Sequence, residues 1–282
     1  DYTIAQGTGG SIDLNPTAGT PAITVANGTQ TINAPITAPA SGSLDTSVNP
    51  GTTLVLGGTI SARGADATAF TITETGGGTV ELADTVNNSN GNIQVDHGTL
   101  RTTGPSVTTG ELLVGGVNQS VGSASVMLDG ATGGGLMNTN SVTLGRVANS
   151  KASLQIQNGA VLNTSGAANI GHAAGSTGAA SVSGSGSQWN INGALNIGSN
   201  GNGSLNIMNG ALVTVGGGNG IVTLGQNAGS HGTLYIGGTT PNAGTAGVLR
   251  AGTVNGGPGG GTINFNQTDT VVLTSAFTGN LT

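Results

Sequence analysis

The chain has 282 residues, of which 55 are Gly, 6% are charged, 2% are aromatic and none is Cys. A typical globular domain is about 25% charged and about 7% Gly, so this composition excludes an ordinary enzyme domain with a charged surface. The lack of Cys excludes a disulfide scaffold and a Cys-ligated metal site. The hydrophobic content of 35% is too high for a typical disordered linker.

Charge is distributed unevenly along the chain. Residues 1–129 hold ten carboxylates and two Arg, for a net charge of −8, whereas residues 130–282 hold one carboxylate and three cations, for +2. No charged residue occurs from Ala152 to Leu249. A surface with so few cations releases few phosphate counterions, so we expect no nucleic-acid partner. No apolar run of about 18–20 residues occurs, which argues against a membrane-spanning helix.

The sequence of residues 1–109 predicts short strands in coils that are more acidic and more decorated, meaning interrupted by residues not typical of strands. Leu54 and Val80 lie about 26 residues apart, a spacing typical of solenoid repeats, and the segments around both alternate apolar and polar residues. This alternation is typical of a strand with one buried face. Between Pro35 and Pro50, residues of type Pro, Ala and Ser replace those typical of strands. We therefore expect decoration rather than regular strands in that stretch.

Residues 110–282 predict a regular repeat. An aliphatic residue followed by Gly recurs at steps of about 26–30 residues, at Val114, Leu144, Ile170, Ile197 and Leu224. A second alternating pair follows each copy, beginning at Val126, Leu154, Ala180, Leu205 and Leu234. Each unit therefore contains two or three short strands separated by corners rich in Gly and Asn, the residues that best tolerate positive φ.

A unit of about 26 residues with several short strands buries its apolar side only by stacking on its neighbours. The sequence predicts an all-β, right-handed parallel β-helix that forms a single domain over residues 1–282, with about ten coils and essentially no helix. At about 4.8 Å per coil the rod is roughly 50 Å long. Its narrow aliphatic interior accounts for the low aromatic content. We expect Trp189 to be a packed strand residue rather than a platform for a carbohydrate.

The segments Ala180–Trp189 and Asn192–Gly198, with the Asn-Gly-Ala corners, resemble autotransporter-associated β-helix repeats. Such repeats occur in the adhesin passengers of Gram-negative autotransporters (type V secretion). The resemblance covers most of the chain and is densest in 110–282. It implies exposure on the cell surface, or secretion, by a Gram-negative bacterium. It also implies a signal peptide and a translocating outer-membrane barrel. Neither is recognisable here, so we interpret the chain as a passenger fragment that meets the membrane only through that barrel.

The sequence predicts no catalytic residue, no cofactor and no metal site. His97, His172 and His231 are scattered, and we expect all three to be solvated turn residues rather than metal ligands. A serine hydrolase would need a nucleophile on a strained turn, and neither Gly-x-Ser-x-Gly nor Gly-Asp-Ser occurs.

An alternative interpretation is a carbohydrate-active or carbohydrate-binding β-helix, which needs carboxylates on neighbouring strands. The only dense group of carboxylates comprises Glu74, Glu81, Asp84, Asp96 and Glu111. About one repeat separates Asp84 from Glu111, so the sequence predicts that the two can align on adjacent coils. This alternative predicts that Asp84, Asp96 and Glu111 converge in a groove. We expect ordinary solvated side chains instead.

The remaining candidate site is an uncharged edge in the turns that follow the aliphatic-Gly corners. It is predicted to consist of Asn149, Ser176, Asn200, Asn202, Asn227 and Ser230. Stacked amides and hydroxyls can hydrogen-bond to a matching row on another rod. The predicted function is therefore that of an adhesin passenger, with self-association or a host-surface or glycan receptor as its partner. Two other interpretations stay open: the edge residues are simply good turn formers, or the chain is an inert stalk presenting a region outside it.

Overall fold

The computed structural model describes residues 1–15, 19–39, 42–62, 70–88, 90–116, 123–239, 241–270 and 272–282. Apart from one turn of 3₁₀ helix at Gly216–Gly218, the described residues form strands, turns and irregular segments. The strands make a single hydrogen-bonded sheet that winds around the rod. The strands pair in parallel, as between Thr53–Leu56 and Thr79–Leu82 and between Lys151–Gln157 and Thr177–Ser183.

In chain order and coil by coil, the strands are β1 (Tyr2–Ile4), β2 (Ile12–Asp13) and β3 (Ala22–Val25); β4 (Thr29–Ile32), β5 (Ile36–Ala38) and β6 (Gly42–Val48); β7 (Thr53–Leu56), β8 (Ile60–Ala62) and β9 (Phe70–Glu74); β10 (Thr79–Leu82), β11 (Val86–Asn88) and β12 (Ile93–Val95); β13 (Gly98–Thr102) and β14 (Val107–Val114); β15 (Ser123–Asp129) and β16 (Leu136–Leu144); β17 (Lys151–Gln157), β18 (Val161–Thr164) and β19 (Ala168–Ile170); β20 (Thr177–Ser183), β21 (Gln188–Ile191) and β22 (Leu195–Ile197); β23 (Asn202–Met208), β24 (Leu212–Val215) and β25 (Ile221–Leu224); β26 (His231–Ile236), β27 (Val248–Arg250) and β28 (Thr253–Phe265); and finally β29 (Ala276–Leu281).

Each coil contributes to three faces. Face 1 contains β1, β4, β7, β10, β13, β15, β17, β20, β23, β26 and the end of β28. Face 2 starts at β2 and ends at β27, and face 3 starts at β3 and ends at β29. β14 and β16 are long because each bends through the corner from face 2 to face 3. The prediction of an all-β solenoid of about ten coils is confirmed.

The periodic positions identified in the sequence are strand partners on neighbouring coils. Val114, Leu144, Ile170, Ile197 and Leu224 pair in succession on face 3. Val126, Leu154, Ala180, Leu205 and Leu234 do the same on face 1. In-register pairing keeps inward side chains inward, because a slip of one residue would turn each strand inside out.

The stretch between Pro35 and Pro50 is not the interruption that its composition predicts. Its described residues include the whole of β5 and β6, and Leu44 and Val48 are fully buried. β6 alternates buried and half-buried residues like the other strands. The prediction was wrong because small and hydroxylated residues are accepted wherever their neighbours on adjacent coils supply the apolar contacts.

The core is a column of aliphatic side chains along the whole rod, and almost all of its residues are less than 5% exposed. Trp189 is its largest side chain and is fully buried, which confirms its predicted place as a packed strand residue. Two of the Asn-Gly-Ala corners are tight turns in which both Asn and Gly have positive φ, at Asn158-Gly159 and Asn209-Gly210. Only Gly, Asn and Asp enter this backbone region readily, which explains the recurrence of these pairs.

Candidate functional site

A groove of about 300 Å³ lies where face 2 turns into face 3, and we call it the corner groove. It spans four coils along β14, β16, β18 and β21 and their corners. All of its lining side chains are uncharged amides or hydroxyls: Thr108, Thr109, Asn138, Thr139, Asn140, Asn163, Thr164, Ser165, Asn190 and Asn192. The groove is therefore a neutral surface that both donates and accepts hydrogen bonds.

An asparagine ladder forms the floor of the corner groove. Asn138, Asn163 and Asn190 occupy the same outward position on β16, β18 and β21. Nδ2 of Asn163 donates to Oδ1 of Asn138 at 2.9 Å, and Nδ2 of Asn190 donates to Oδ1 of Asn163 at 2.9 Å. Parallel in-register strands bring identical side chains close enough to bond, as in stacked amide ladders generally. A second ladder on face 3 joins Asn196 to Asn169 at 2.9 Å.

Buried threonines support the groove from inside the corner. Oγ1 of Thr109 donates to the carbonyl of Gly91, and Oγ1 of Thr139 donates to the carbonyl of Gly110, both at 3.0 Å. Oγ1 of Thr164 accepts a bond of 3.1 Å from Nε1 of Trp189. These bonds give partners to backbone carbonyls at the bend and to the indole N–H. A buried polar group without a partner would cost about 1–3 kcal/mol. The wall of the groove is therefore held by hydrogen bonds from these threonines to the backbone and to Trp189.

The outer rim of the corner groove is exposed. Asn140, Ser165 and Asn192 follow the ladder residues by two positions, and Oγ of Ser165 donates to Oδ1 of Asn140 at 3.2 Å. Amides and alcohols do not titrate near neutral pH, and no acid or His is among the described residues that line the groove. The arrangement is suited to hydrogen bonding with a partner rather than to proton transfer.

The corner groove was not predicted, because its polar residues lie on strands, where the sequence pattern indicates the apolar core, rather than in turns. The signal was present, since the three ladder asparagines are 25 and 27 residues apart. A polar residue that repeats at the coil period on the outward side of a strand predicts a ladder, just as an aliphatic residue on the inward side predicts a core column.

The amide members of the predicted edge lie at the surface. Asn200 and Asn227 are exposed and stack, with Nδ2 of Asn227 donating to Oδ1 of Asn200 at 2.9 Å. Nδ2 of Asn200 donates in turn to the carbonyl of His172 at 2.9 Å. Asn149 is exposed and has a φ of 62°, as expected of a turn. Asn202 is also exposed, but it is the first residue of β23 rather than a turn residue.

The two serines of the predicted edge face inward. Ser176 is 0% exposed and Ser230 is 3% exposed. Oγ of Ser176 donates to the carbonyl of Ala173 at 2.7 Å, and Oγ of Ser230 donates to the carbonyl of Asn227 at 2.6 Å. A hydroxyl that bonds to a carbonyl three residues earlier closes its own turn. These two residues are therefore turn formers, and the exposed part of the edge consists of amides.

The predicted alignment of Asp84 with Glu111 was wrong. β10 pairs with β13 so that Thr79 lies beside Thr99, which makes this coil much shorter than the usual repeat. The separation of Asp84 and Glu111 therefore exceeds one coil. Asp84 comes just after the face-1 strand β10, and Asp96 comes just after the face-3 strand β12. Glu111 lies at the bend of β14 between faces 2 and 3. Three different corners hold these carboxylates, and they do not converge in a groove.

Glu74 is the last residue of β9 and is 1% exposed. Among the described residues it forms no ion pair that would offset the burial of its charge. Oγ1 of Thr46 donates to its Oε2 at 2.6 Å, and the N–H of Gly76 donates to its Oε1 at 2.9 Å. Burial raises the pKa of Glu74 above 4.5, because desolvation outweighs these hydrogen bonds. Glu74 is thus a buried acid rather than the solvated side chain that we expected.

Glu81 belongs to a chain of charges on face 1. Nη2 of Arg101 contacts Oδ2 of Asp129 at 2.8 Å, and Nη1 of Arg101 lies 3.5 Å from Oε2 of Glu81. Nδ2 of Asn158 donates to Oδ1 of Asp129 at 2.8 Å. The hydrogen bonds from Asn158 and then from Arg101 lower the pKa of Asp129 below 3.8. The hydrogen bond to Asp129 in turn raises the pKa of Arg101.

The three histidines do not come together. His97 and His172 are half-buried and lie just after the face-3 strands β12 and β19. His231 is the exposed first residue of β26. Within the described ranges, no three side chains of type His, Cys, Asp or Glu are grouped closely enough to hold a metal ion.

Comparison with known proteins finds no family model that matches the chain, and no curated protein or solved structure matches it. Among the described residues, no helix is long and apolar enough to span a membrane.

Proposed function

We propose that this chain is an adhesive rod, exposed on the surface of a Gram-negative bacterium or secreted, like the autotransporter passengers its repeats resemble. Its partner is a second copy of the same rod or another neutral, hydrogen-bonding surface. The proposed role is binding, with no catalytic step assigned to the carboxylates.

The proposal rests on the uncharged segment of the rod and the amides that repeat along it. From Ala152 to Leu249 the chain has no charged residue, and its outward amides repeat in register over successive coils. Two such uncharged segments can approach closely, because no like charges repel within them and each ladder repeats at the same spacing of about 4.8 Å. A single bond nets only about 0.5–1.5 kcal/mol, so binding strength comes from the number of coils that engage.

Static light scattering over a concentration series tests the proposal. We expect the apparent mass of the wild type to rise with concentration. Replacing the rim of the corner groove by Asn140→Lys, Ser165→Lys and Asn192→Lys places three exposed cations on one line. Their repulsion across two facing rods should keep this variant monomeric at concentrations where the wild type associates.

The matched control carries Gln at the same three positions, which gives similar bulk without charge, and it should behave like the wild type. A second pair of variants, Asn200→Lys with Asn227→Lys against the same sites changed to Gln, tests the exposed amide edge. A wild type that stays monomeric throughout the series would support an inert stalk and overturn self-association. Association unchanged in both Lys variants would contradict the neutral surfaces as the interface.

A further inference from the structure

A second depression, of about 210 Å³, lies on face 1 and is separate from the corner groove; we call it the face-1 notch. It crosses β17, β20, β23 and β26. Ala179 and Ser181 on β20 are the smallest outward side chains in their rows, and their partners on the flanking strands are larger. The notch lies where the short side chain of Ser181 sits between the longer Gln155 and Asn206.

An aromatic ring bounds one end of the notch. Tyr235 lies outward on β26, half-buried, next to Asn206 in the strand register. Gln155 bounds the opposite end on β17, and Ser153 and Ser204 lie in the second row. From β17 to β26 the notch spans three coil steps, or about 14 Å. A flat apolar ring beside several neutral polar groups is the usual composition of a small-ligand site.

Asn206 provides an independent sign of a missing partner. Its Oδ1 is buried and accepts no hydrogen bond from any residue that the structure describes. Within the described part of the chain, the sole partner of its Nδ2 is the sulfur of Met208, at 3.5 Å, and a thioether is a weak acceptor. An unsatisfied buried acceptor destabilises the fold, and an O–H donor placed in the notch would remove that cost once the carboxamide turns toward it.

We propose that the face-1 notch binds a neutral sugar unit of a short oligosaccharide. One pyranose face stacks on Tyr235, and a hydroxyl donates to Oδ1 of Asn206. Gln155, Ser153 and Ser204 supply further donors and acceptors. The ligand is uncharged because, among the residues that the structure describes, no cation or acid lines the notch. This inference goes beyond self-association, since it concerns another face and another class of partner.

Isothermal titration and saturation-transfer NMR with cellotriose, maltotriose, chitotriose and mannotriose test the proposal. We expect at least one trisaccharide to bind the wild type. Tyr235→Ala should weaken it about tenfold or more, whereas Tyr235→Phe keeps the ring and most of the affinity. Ser181→Gln fills the notch from an outward position and should abolish binding without touching the core. Ser61→Gln, the same change on face 2, should have no effect.

Failure of all four trisaccharides to bind, or binding that Ser181→Gln leaves intact, would overturn the proposal. An uncharged peptide such as Gly-Ser-Asn-Gly, titrated in parallel, should not bind. If it binds with the same dependence on Tyr235 while the sugars do not, the notch is a peptide site and the proposal is wrong. Light scattering of Ser181→Gln keeps the two proposals distinguishable, because the notch variant should self-associate like the wild type.

Discussion

The acidic part of the rod, residues 1–129, and the neutral segment from Ala152 to Leu249 share one fold but stack their outward side chains by different chemistry. In the first, Glu81, Arg101 and Asp129 link three consecutive coils through charges. In the second, identical asparagines link the coils through amides. The solenoid needs only an inward aliphatic column and a constant register, so the outward rows are free to differ.

Because one part is linked by charges and the other by amides, the stability of the two parts should depend differently on salt and pH. Charge pairs weaken as salt screens them or as carboxylates take up protons, whereas amide ladders change little with either. Asn158 joins the two systems, since it belongs to the neutral part and donates to Asp129.

Trp189→Ala should produce the largest loss, about 3–5 kcal/mol in the free energy of unfolding, because it empties the largest site in the core. Its Nε1 bond to Thr164 is lost as well. In a solenoid each coil contacts chiefly its neighbours. Hydrogen exchange should therefore accelerate in the coils around β21 and much less near β4 and β7. Uniform acceleration along the rod would contradict the view that the two parts respond separately.

Asp129→Asn should cost about 1–2 kcal/mol at pH 7, a value kept small because Arg101 is more than one third exposed. Since the folded-state pKa of Asp129 is lowered, the carboxylate stabilises the fold above pH 3.8 and loses that contribution as pH falls through the folded pKa. Urea titrations should show the wild-type advantage shrinking below pH 3.8 and in 1 M salt. An advantage independent of both would exclude an ionic origin.

Asn163→Ala should cost about 1 kcal/mol, since Asn163 both donates and accepts in the ladder of the neutral part. Neither bond involves a charge. The loss measured by urea unfolding should therefore be the same at low and high salt and from pH 4 to pH 8, unlike that of Asp129→Asn. Asn87→Ala removes an exposed amide at the same outward position on β11 and is the matched control, with little expected effect.

Glu74→Gln should give the smallest change, a gain below about 1 kcal/mol at pH 7, because it removes the cost of burying a charge. The raised folded-state pKa means that Glu74 stabilises the fold most below pH 4.5 and loses that contribution as pH rises through the folded pKa. The variant's advantage should therefore appear only as pH rises. A variant less stable than the wild type at pH 7 would show that the bonds to Thr46 and Gly76 outweigh desolvation.

The aliphatic columns were predictable because their residues repeat at nearly the same interval, and Val114 to Leu224 pair as their spacing indicates. The acidic coils were harder to predict because their corners vary in length. The coil from Thr79 to Thr99 is shorter than its neighbours on face 1, and a constant period therefore misplaces Asp84 relative to Glu111.

The candidate sites were predicted only in part. Turn composition indicated Asn200 and Asn227 correctly as exposed amides. It could not distinguish them from Ser176 and Ser230, because Ser suits a turn equally well whether its hydroxyl faces solvent or its own backbone. The face-1 notch depends on differences in side-chain size between coils, and these become visible only once the register is known.

The unequal coil lengths have a consequence for how such a chain can change. On face 1 the step from coil to coil is short between β10 and β13, where Thr79 pairs with Thr99, and long between β23 and β26, where Asn202 pairs with His231. The strands stay in register across both steps, so insertions and deletions are absorbed at corners without moving the strands. A tag or binding loop grafted into the turn at Ala173–Gly175 should therefore be displayed outside the rod, and the strands of the neighbouring coils should keep their register.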